Sequence, residues 1–446
     1  MDSPMRQALA EQLADSLARP LPSLTPRRVF GRSVLPGKAT AVTGMRRAGK
    51  TTFLHQLRRE RVERGIARER LPFVSFEDER LAGLEAAELG ILVDEYYRRV
   101  PRAHDGTVTW CFDEIQLVPG WERFVRRLLD AGAGAGEVLI SGSSSALLSR
   151  EIATALRGRA WQVLIHPFAF AEALRHRGFS IPGPQDRAST RERHRLERAL
   201  LDWLATGGFP EAQGLDPESR HQLHRDYVDV AVLRDVVERH QVRNVAALRW
   251  LVRHLLGNAG STFSVEKFHA ALRSQGLPVG RDTLHEYLAY LEDCYLVRVV
   301  WMESASERQR MVNPRKAYPV DPGLIPVFDR SGRANVGHAL ETAVLIELER
   351  RRRAVTYVRT AEGYEVDFLA RDATGGMELI QVCANASDPA TAARELRALA
   401  TAGDRFPRAG KRLITATGDA VRLPSPAGVV VQSAAEWLLA PYAAAR

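Results

Sequence analysis

The 446-residue chain carries 63 Lys and Arg against 54 Asp and Glu, a net charge of +9, with 45% hydrophobic residues. That length predicts roughly two to four domains, and no apolar run approaches the ~18 residues needed to span a bilayer, so no membrane partner is expected. Cys111, Cys294 and Cys383 form no C-x-x-C pair and the N-terminus lacks the layout of a signal peptide, which argues against structural zinc and a disulfide framework and predicts a reducing, cytoplasmic setting.

Residues 1–30 read as a short amphipathic helix and a Pro-rich approach, Arg19-Pro20-Leu21-Pro22. From about 38 to 167, strand and helix patterns alternate, which predicts a parallel sheet with crossover helices. Strands are expected at Thr40 to Thr43, Phe73 to Phe76, Val108 to Phe112, Val138 to Ile140 and Gln162 to Ile165, with the run Ala131 to Gly136 as a loop.

Between the first strand and a helical pattern lies Gly44-Met45-Arg46-Arg47-Ala48-Gly49-Lys50-Thr51-Thr52. It fits G-x-x-x-x-G-K-[ST], the loop whose backbone N–H groups close around nucleotide phosphates at a helix N-terminus. Lys50 is expected to reach the β and γ oxygens, and Thr51 to offer its hydroxyl to Mg²⁺. ATP and Mg²⁺ are the expected ligands. Only five of the 63 basic residues are Lys, so Lys50 stands where a compact ammonium is wanted.

Val108 to Glu114 is an apolar strand ending in Asp113-Glu114. Asp113 is the expected second anchor for Mg²⁺, and Glu114 the group that polarises the attacking water. The next strand ends Ser141-Gly142-Ser143-Ser144-Ser145, where Ser143 or Ser144 is expected to sense the γ-phosphate; a simple helix N-cap is the alternative. Arg157-Gly158-Arg159 precedes the fifth strand, where Arg157 or Arg159 can point towards a neighbouring subunit's phosphate, although an ordinary surface pair fits the spacing equally.

Residues 168–257 read mainly as helix, broken at Gly207-Gly208-Phe209-Pro210. Residues 246–302 then give helix, helix, turn and a third helix from Asp282 to Asp293, followed by a β-like run from Tyr295 to Trp301, the order of a winged helix. If it docks on DNA, Arg281 and His285 are the expected contacts, with Arg308, Arg310, Arg315 and Lys316 as a basic strip beyond. Seven Lys and Arg against five Asp and Glu between 241 and 300 leave a packing role equally open. The Arg350 to Arg353 run is another basic stretch.

Further on, Glu341 sits on a helix, Asp367 at the centre of a strand, and Gln381 and Cys383 on the strand after Gly375-Gly376. The order resembles a restriction-endonuclease-like core, in which metal-dependent cleavage needs clustered carboxylates and a Lys. Here Gln381 and Cys383 hold the E-x-K positions, so a degenerate site is expected.

Taken together, Gly44 to Thr52, Cys111 to Gln116, Ser141 to Ser145 and Leu156 to Arg159 resemble AAA-type ATPases. They are similar in particular to the prokaryotic group whose C-terminal half is catalogued as domain of unknown function 4143. His166 to Phe170, Gly207 to Glu211, and Asn313 to Tyr318 with Asp321 resemble further motifs of that group. The resemblance implies an α/β P-loop core at 31–170, a helical lid at 171–245, a winged-helix-like module at 246–318 and a restriction-endonuclease-like α/β domain at 319–446. The expected function is an ATPase that assembles into an oligomer, such as a hexameric ring, and acts on DNA as a remodeller, translocase or helicase. A nucleotide-controlled switch acting through protein partners is the alternative, and an ATP-gated nuclease the third reading.

Overall fold

The computed structural model describes residues 4–31, 35–130, 136–142, 156, 158–181, 189–329, 335–418 and 428–441. They fall into two compact units, the first ending at Ile165 and the second beginning at His166.

The first unit holds a five-stranded parallel sheet of β1 (Ala39–Thr43), β2 (Phe73–Ser75), β3 (Thr109–Asp113), β4 (Glu137–Gly142) and β5 (Ala160–Leu164), in the order β2-β3-β4-β1-β5. All five expected strands are present. Both faces of the sheet are covered, so every residue of β1 and β3 is buried. Alternation sorts them: Ala39 and Ala41 join the core of Trp110, Phe112, Val138 and Ile140, while Val42 joins that of Cys111, Leu139 and Val163. The second core is capped by Phe53, Leu54 and Leu57 of the helix Lys50–Glu63, which fixes where that helix begins relative to the strand ends. The helix Pro4–Ala18 buries Ala8, Leu9 and Leu13 in the first core.

The second unit opens with the helices Phe170–His176, Thr190–Thr206 and Pro217–Val230, the last running into a π-helical stretch, Ala231–Glu238. Three more follow at Val245–Gly257, Val265–Ser274 and Arg281–Asp293. A mixed eight-stranded sheet comes next: β6 (Thr262–Phe263), β7 (Val297–Met302), β8 (Arg315–Pro319), β9 (Ala354–Arg359), β10 (Glu365–Arg371), β11 (Met377–Cys383), β12 (Gly410–Thr415) and β13 (Val429–Ser433), ordered β13-β12-β11-β10-β9-β7-β8-β6. The β7–β8 hairpin follows the three helices in winged-helix order, yet β7 also pairs in parallel with β9. The hairpin is therefore interior to the C-terminal sheet, and strands on both sides of position 318 share one hydrogen-bonded surface. The helix Val336–Arg350 lies on this sheet with Ala339 to Leu348 buried.

A buried carboxylate ties the Gly207-Gly208 break to the segment after β8. Asp321 accepts the N–H groups of Gly208 at 2.7 Å and Gly323 at 2.9 Å. Gly207 has φ +79°, and a Cβ there would collide with Asp321 Oδ1, so glycine is required. No helix among the described residues is long and apolar enough to cross a membrane.

Candidate active site

The loop between β1 and the helix Lys50–Glu63 is held open by backbone conformations that side chains resist. Gly44 has φ +145° and a Cβ there would strike the Ile165 carbonyl; Gly49, capping the helix, has φ +99°, and Arg47 takes φ +63° between them. The helix has no side-chain cap and no acid in its first turn, so its leading N–H groups face a site suited to an anion. Lys50 is buried, with Nζ 3.3 Å from the Met45 carbonyl and 3.7 Å from Glu114 Oε1. Thr52 is exposed beside Thr51, and Arg46 lies 3.8 Å from Glu77.

The sheet brings the acids to this loop. Thr51 Oγ1 donates to Asp113 Oδ2 at 2.9 Å, joining the two residues expected to hold Mg²⁺. Both are hard oxygen donors, Thr51 in the first turn of the helix and Asp113 at the end of β3, so they fit that ion. Burial pushes the Asp113 carboxyl up to about 6; the Glu114 charge adds to this, while the Ser141 and Thr51 hydroxyls and Lys50 pull it down. Glu114 is buried in a left-handed conformation, φ +51°, a strain of about 1–3 kcal/mol of the kind stored at functional sites. Gln116 donates to its Oε2.

Ser141 is the residue that the sequence reading missed. Phe112 pairs with Ile140, so the next residues, Asp113 and Ser141, come side by side at the carboxyl ends of their strands. The Ser141 hydroxyl donates to Asp113 Oδ1 and accepts the Glu114 N–H at 3.1 Å, fixing both acids at once. The strand register contained this signal. Ser143, Ser144 and Arg157 lie outside the described residues. Arg159 precedes β5, its carbonyl accepting Ala39 N–H at 2.8 Å and its guanidinium pairing with exposed Asp130.

The expected DNA contacts separate. Arg281 is exposed but pairs with Glu266 at 3.1 Å, and His285 and Arg308 are exposed. Arg310 and Arg315 lie over the Trp301 ring, at 5.4 and 3.8 Å from its centroid. Lys316 does not belong on that strip: it is 3% exposed. Because β8 alternates, its side chain enters the interior and meets Glu365 at 2.8 Å, Glu341 at 3.0 Å and Asp367 at 3.1 Å. Burial disfavours this ammonium, but Asp367, Glu341 and Glu365 outweigh it and hold the group above its usual value. In the Arg350 to Arg353 run, Arg351 pairs with Glu347 and Arg353 with Asp372.

The same cluster revises the nuclease-like site. Glu341 and Asp367 do come together, and the ammonium absent from position 383 arrives instead from Lys316. Tyr318 adds a hydroxyl to Glu341 at 2.6 Å. Burial, then Asp367, pushes the Glu341 carboxyl up to about 8. Gln381 joins by accepting the Asp367 N–H at 3.3 Å and donating to Glu395 at 2.8 Å, whereas Cys383 packs in an apolar core with Leu379 and Leu413. Among the described residues no group of three or more His, Cys, Asp or Glu is arranged to hold a metal.

Comparisons with known proteins accord with the first unit's loop and sheet. A family model described as an AAA domain matches residues 36–174, and one described as a domain of unknown function, DUF8612, matches residues 197–332. The expected similarity to domain of unknown function 4143 is not confirmed by these matches. The chain is 35% identical over 355 residues to an uncharacterised protein of Methanocaldococcus jannaschii, covering 78% of this chain and 75% of that one. It is 28% identical over 333 residues to an uncharacterised protein of Haemophilus influenzae, covering 74% and 79%. Among solved structures it is similar to a Walker-type ATPase of Pyrococcus abyssi, at 15% identity and TM-score 0.38, covering 72% and 95%. The ORC1 protein of Aeropyrum pernix in complex with DNA follows at 14% identity and TM-score 0.28, covering 74% and 92%. With its phosphate loop and paired acids, the chain carries an AAA-type P-loop ATPase domain at residues 36–174, and it belongs to one family with the M. jannaschii protein.

Proposed function

We propose that this ATPase hydrolyses ATP at the Lys50, Asp113 and Glu114 site, works as an oligomer, and spends the turnover on DNA. The observation that carries hydrolysis is Ser141 bridging Asp113 and Glu114 beside Thr51 and Lys50. The loop N–H groups and Lys50 bind the β and γ oxygens, and Thr51 and Asp113 hold Mg²⁺, which when bound offsets phosphate charge. Glu114 orients and deprotonates the attacking water. Lys50 lies 3.7 Å from Glu114, so a γ-phosphate competes with Glu114 for the ammonium and releases the carboxylate towards water. In the oligomer, Arg159 exchanges its exposed Asp130 partner for a neighbour's phosphate, a swap that costs little because surface ion pairs contribute at most about 1 kcal/mol.

Phosphate release by the full chain tests the chemistry. Glu114→Gln is expected to retain ATP binding while turnover falls by about 100-fold or more, the usual effect of losing a general base. Lys50→Ala is expected to lose nucleotide binding. Wild-type turnover in Glu114→Gln refutes the assignment. The DNA half is supported by the net charge of +9 and the three-helix module ahead of β7. Turnover and salt-dependent binding measured with duplex, single-stranded and branched DNA test it. Tight nucleotide retention with negligible turnover on every DNA would favour the switch acting through protein partners.

A further inference from the structure

The helices Pro217–Val230, Val245–Gly257 and Val265–Ser274, with the segment Pro326–Asp329, enclose a groove of roughly 1050 Å³. Neither Arg281 nor His285 lines it. Its aromatic floor is built from Phe263 and Phe268, whose ring centroids are 5.8 Å apart, with the His254 ring 4.9 Å from Phe268. Burial holds His254 below its usual value, so near neutral pH it offers an uncharged flat ring. Trp250 lies one turn before Arg253 and His254 on the same helix face and is 38% exposed, unusual for so large an apolar side chain.

Three cations border these rings: Arg225, Arg253 and Lys267. Among the described residues none of them has a carboxylate within ion-pairing distance. Asp229 and Asp329 also line the groove, so cations exceed acids by one. That balance selects the ligand. A duplex hides its bases and would bring only phosphates to a nearly balanced site. An acidic peptide would bring carboxylates but no flat surfaces to the rings. A single strand brings both, and base stacking on aromatic side chains flanked by phosphate-binding cations is how such strands are held without sequence preference. The volume is at the upper end for a small-molecule site and leaves room for more than one nucleotide.

We infer that this groove binds single-stranded DNA, with bases on the exposed Trp250 and His254 rings, which the buried Phe263 and Phe268 rings support, and phosphates on Arg225, Arg253 and Lys267. The inference rests on the DNA reading above and specifies its surface. Fluorescence anisotropy of the full chain with labelled oligo-dT, a matched duplex and poly-glutamate as competitor tests it. Trp250→Ala and Arg253→Glu are each expected to weaken oligo-dT binding by about 10-fold or more, on the scale of one lost stacked base. Duplex affinity and DNA-free ATP turnover are expected to stay unchanged, and Lys267→Gln to lower the salt slope by about one. Oligo-dT binding that both variants keep within about two-fold overturns the groove while leaving the DNA reading standing. Absence of binding to any DNA overturns both. Displacement of oligo-dT by poly-glutamate of equal charge overturns it in favour of an acidic-peptide site.

Discussion

Replacing Lys316 with Met should unfold the second unit more readily, and increasingly so as pH rises. The ammonium contacts three carboxylates at 2.8, 3.0 and 3.1 Å while only 3% exposed. At an effective dielectric near 20, a contact with a buried, ionised carboxylate is worth about 5 kcal/mol of Coulomb attraction before desolvation is subtracted, and the contacts with Glu365, which is 35% exposed, and with protonated Glu341 are worth less. Most of that gain offsets the burial of Lys316, Glu341 and Asp367, so the net loss follows the experience with broken buried pairs, about 3–5 kcal/mol. The pH dependence has a definite sign. Glu341 is pushed up to about 8 in the folded protein against 4.5 ordinarily, so its contribution is full below 4.5 and is lost as pH rises towards 8. Without Lys316 the folded state gains protons on the remaining acids, which extends the same trend. Urea unfolding of the full chain near about pH 5 and about pH 8, followed by circular dichroism, should show the variant's deficit growing with pH. Lys316→Met combined with Asp367→Asn and Glu365→Gln should recover part of the loss. A deficit below about 1 kcal/mol, or one independent of pH, would refute the cluster's stabilising role.

Ser141→Ala should leave the fold intact and lower Mg²⁺-dependent ATP turnover by about 10-fold, because Asp113 Oδ1 and the Glu114 N–H each lose a partner worth about 1–3 kcal/mol between them; wild-type turnover at limiting Mg²⁺ would exclude the bridge. Gly207→Ala should cost about 2–3 kcal/mol, since the new Cβ strains a left-handed backbone and strikes Asp321. Thermal unfolding checks this, and an unchanged Tm would show that the clasp can give way. Asp321 is pushed up to about 6 by burial, so its share of stability is full below 3.8 and is lost as pH rises through 6. An Asp321→Ala variant should therefore lack that slope in its Tm against pH.

What the sequence made legible divides by the range of the interactions involved. All five strands of the parallel sheet, the phosphate loop and Asp113-Glu114 could be read because each depends on a short run with its own signature: apolar continuity, spaced glycines, an acid at a strand end. Ser141 was hidden although it lies two residues from the favoured Ser143, because its role comes from the parallel register of β3 and β4. Lys316 was misread for a similar reason. Next to Arg315 in sequence it looks like part of a basic strip, but β8 alternation sends one of the two outwards onto Trp301 and the other inwards to Glu341. The motif around Gly207-Gly208 was visible without its cause, since Asp321 lies 113 residues away from Gly208.

The two buried carboxylate clusters differ in what neutralises them, and this separates chemistry from architecture. At Asp113 and Glu114 the partners are mostly neutral hydroxyls and amides, from Ser141, Thr51 and Gln116, with Lys50 at 3.7 Å rather than in hydrogen-bond contact. Two adjacent acids are thus left short of positive charge beside a helix N-terminus, an arrangement whose energy falls when a cation and a phosphate enter together. At Glu341, Glu365 and Asp367 the protein supplies the ammonium itself, within 3.1 Å of all three acids. A metal entering there must displace Lys316 into an apolar interior, at the cost of burying an unpaired charge. Ligand binding is therefore favoured at the first cluster and opposed at the second, which is why the ATP loop, and not the nuclease-like shell, is the place to look for turnover.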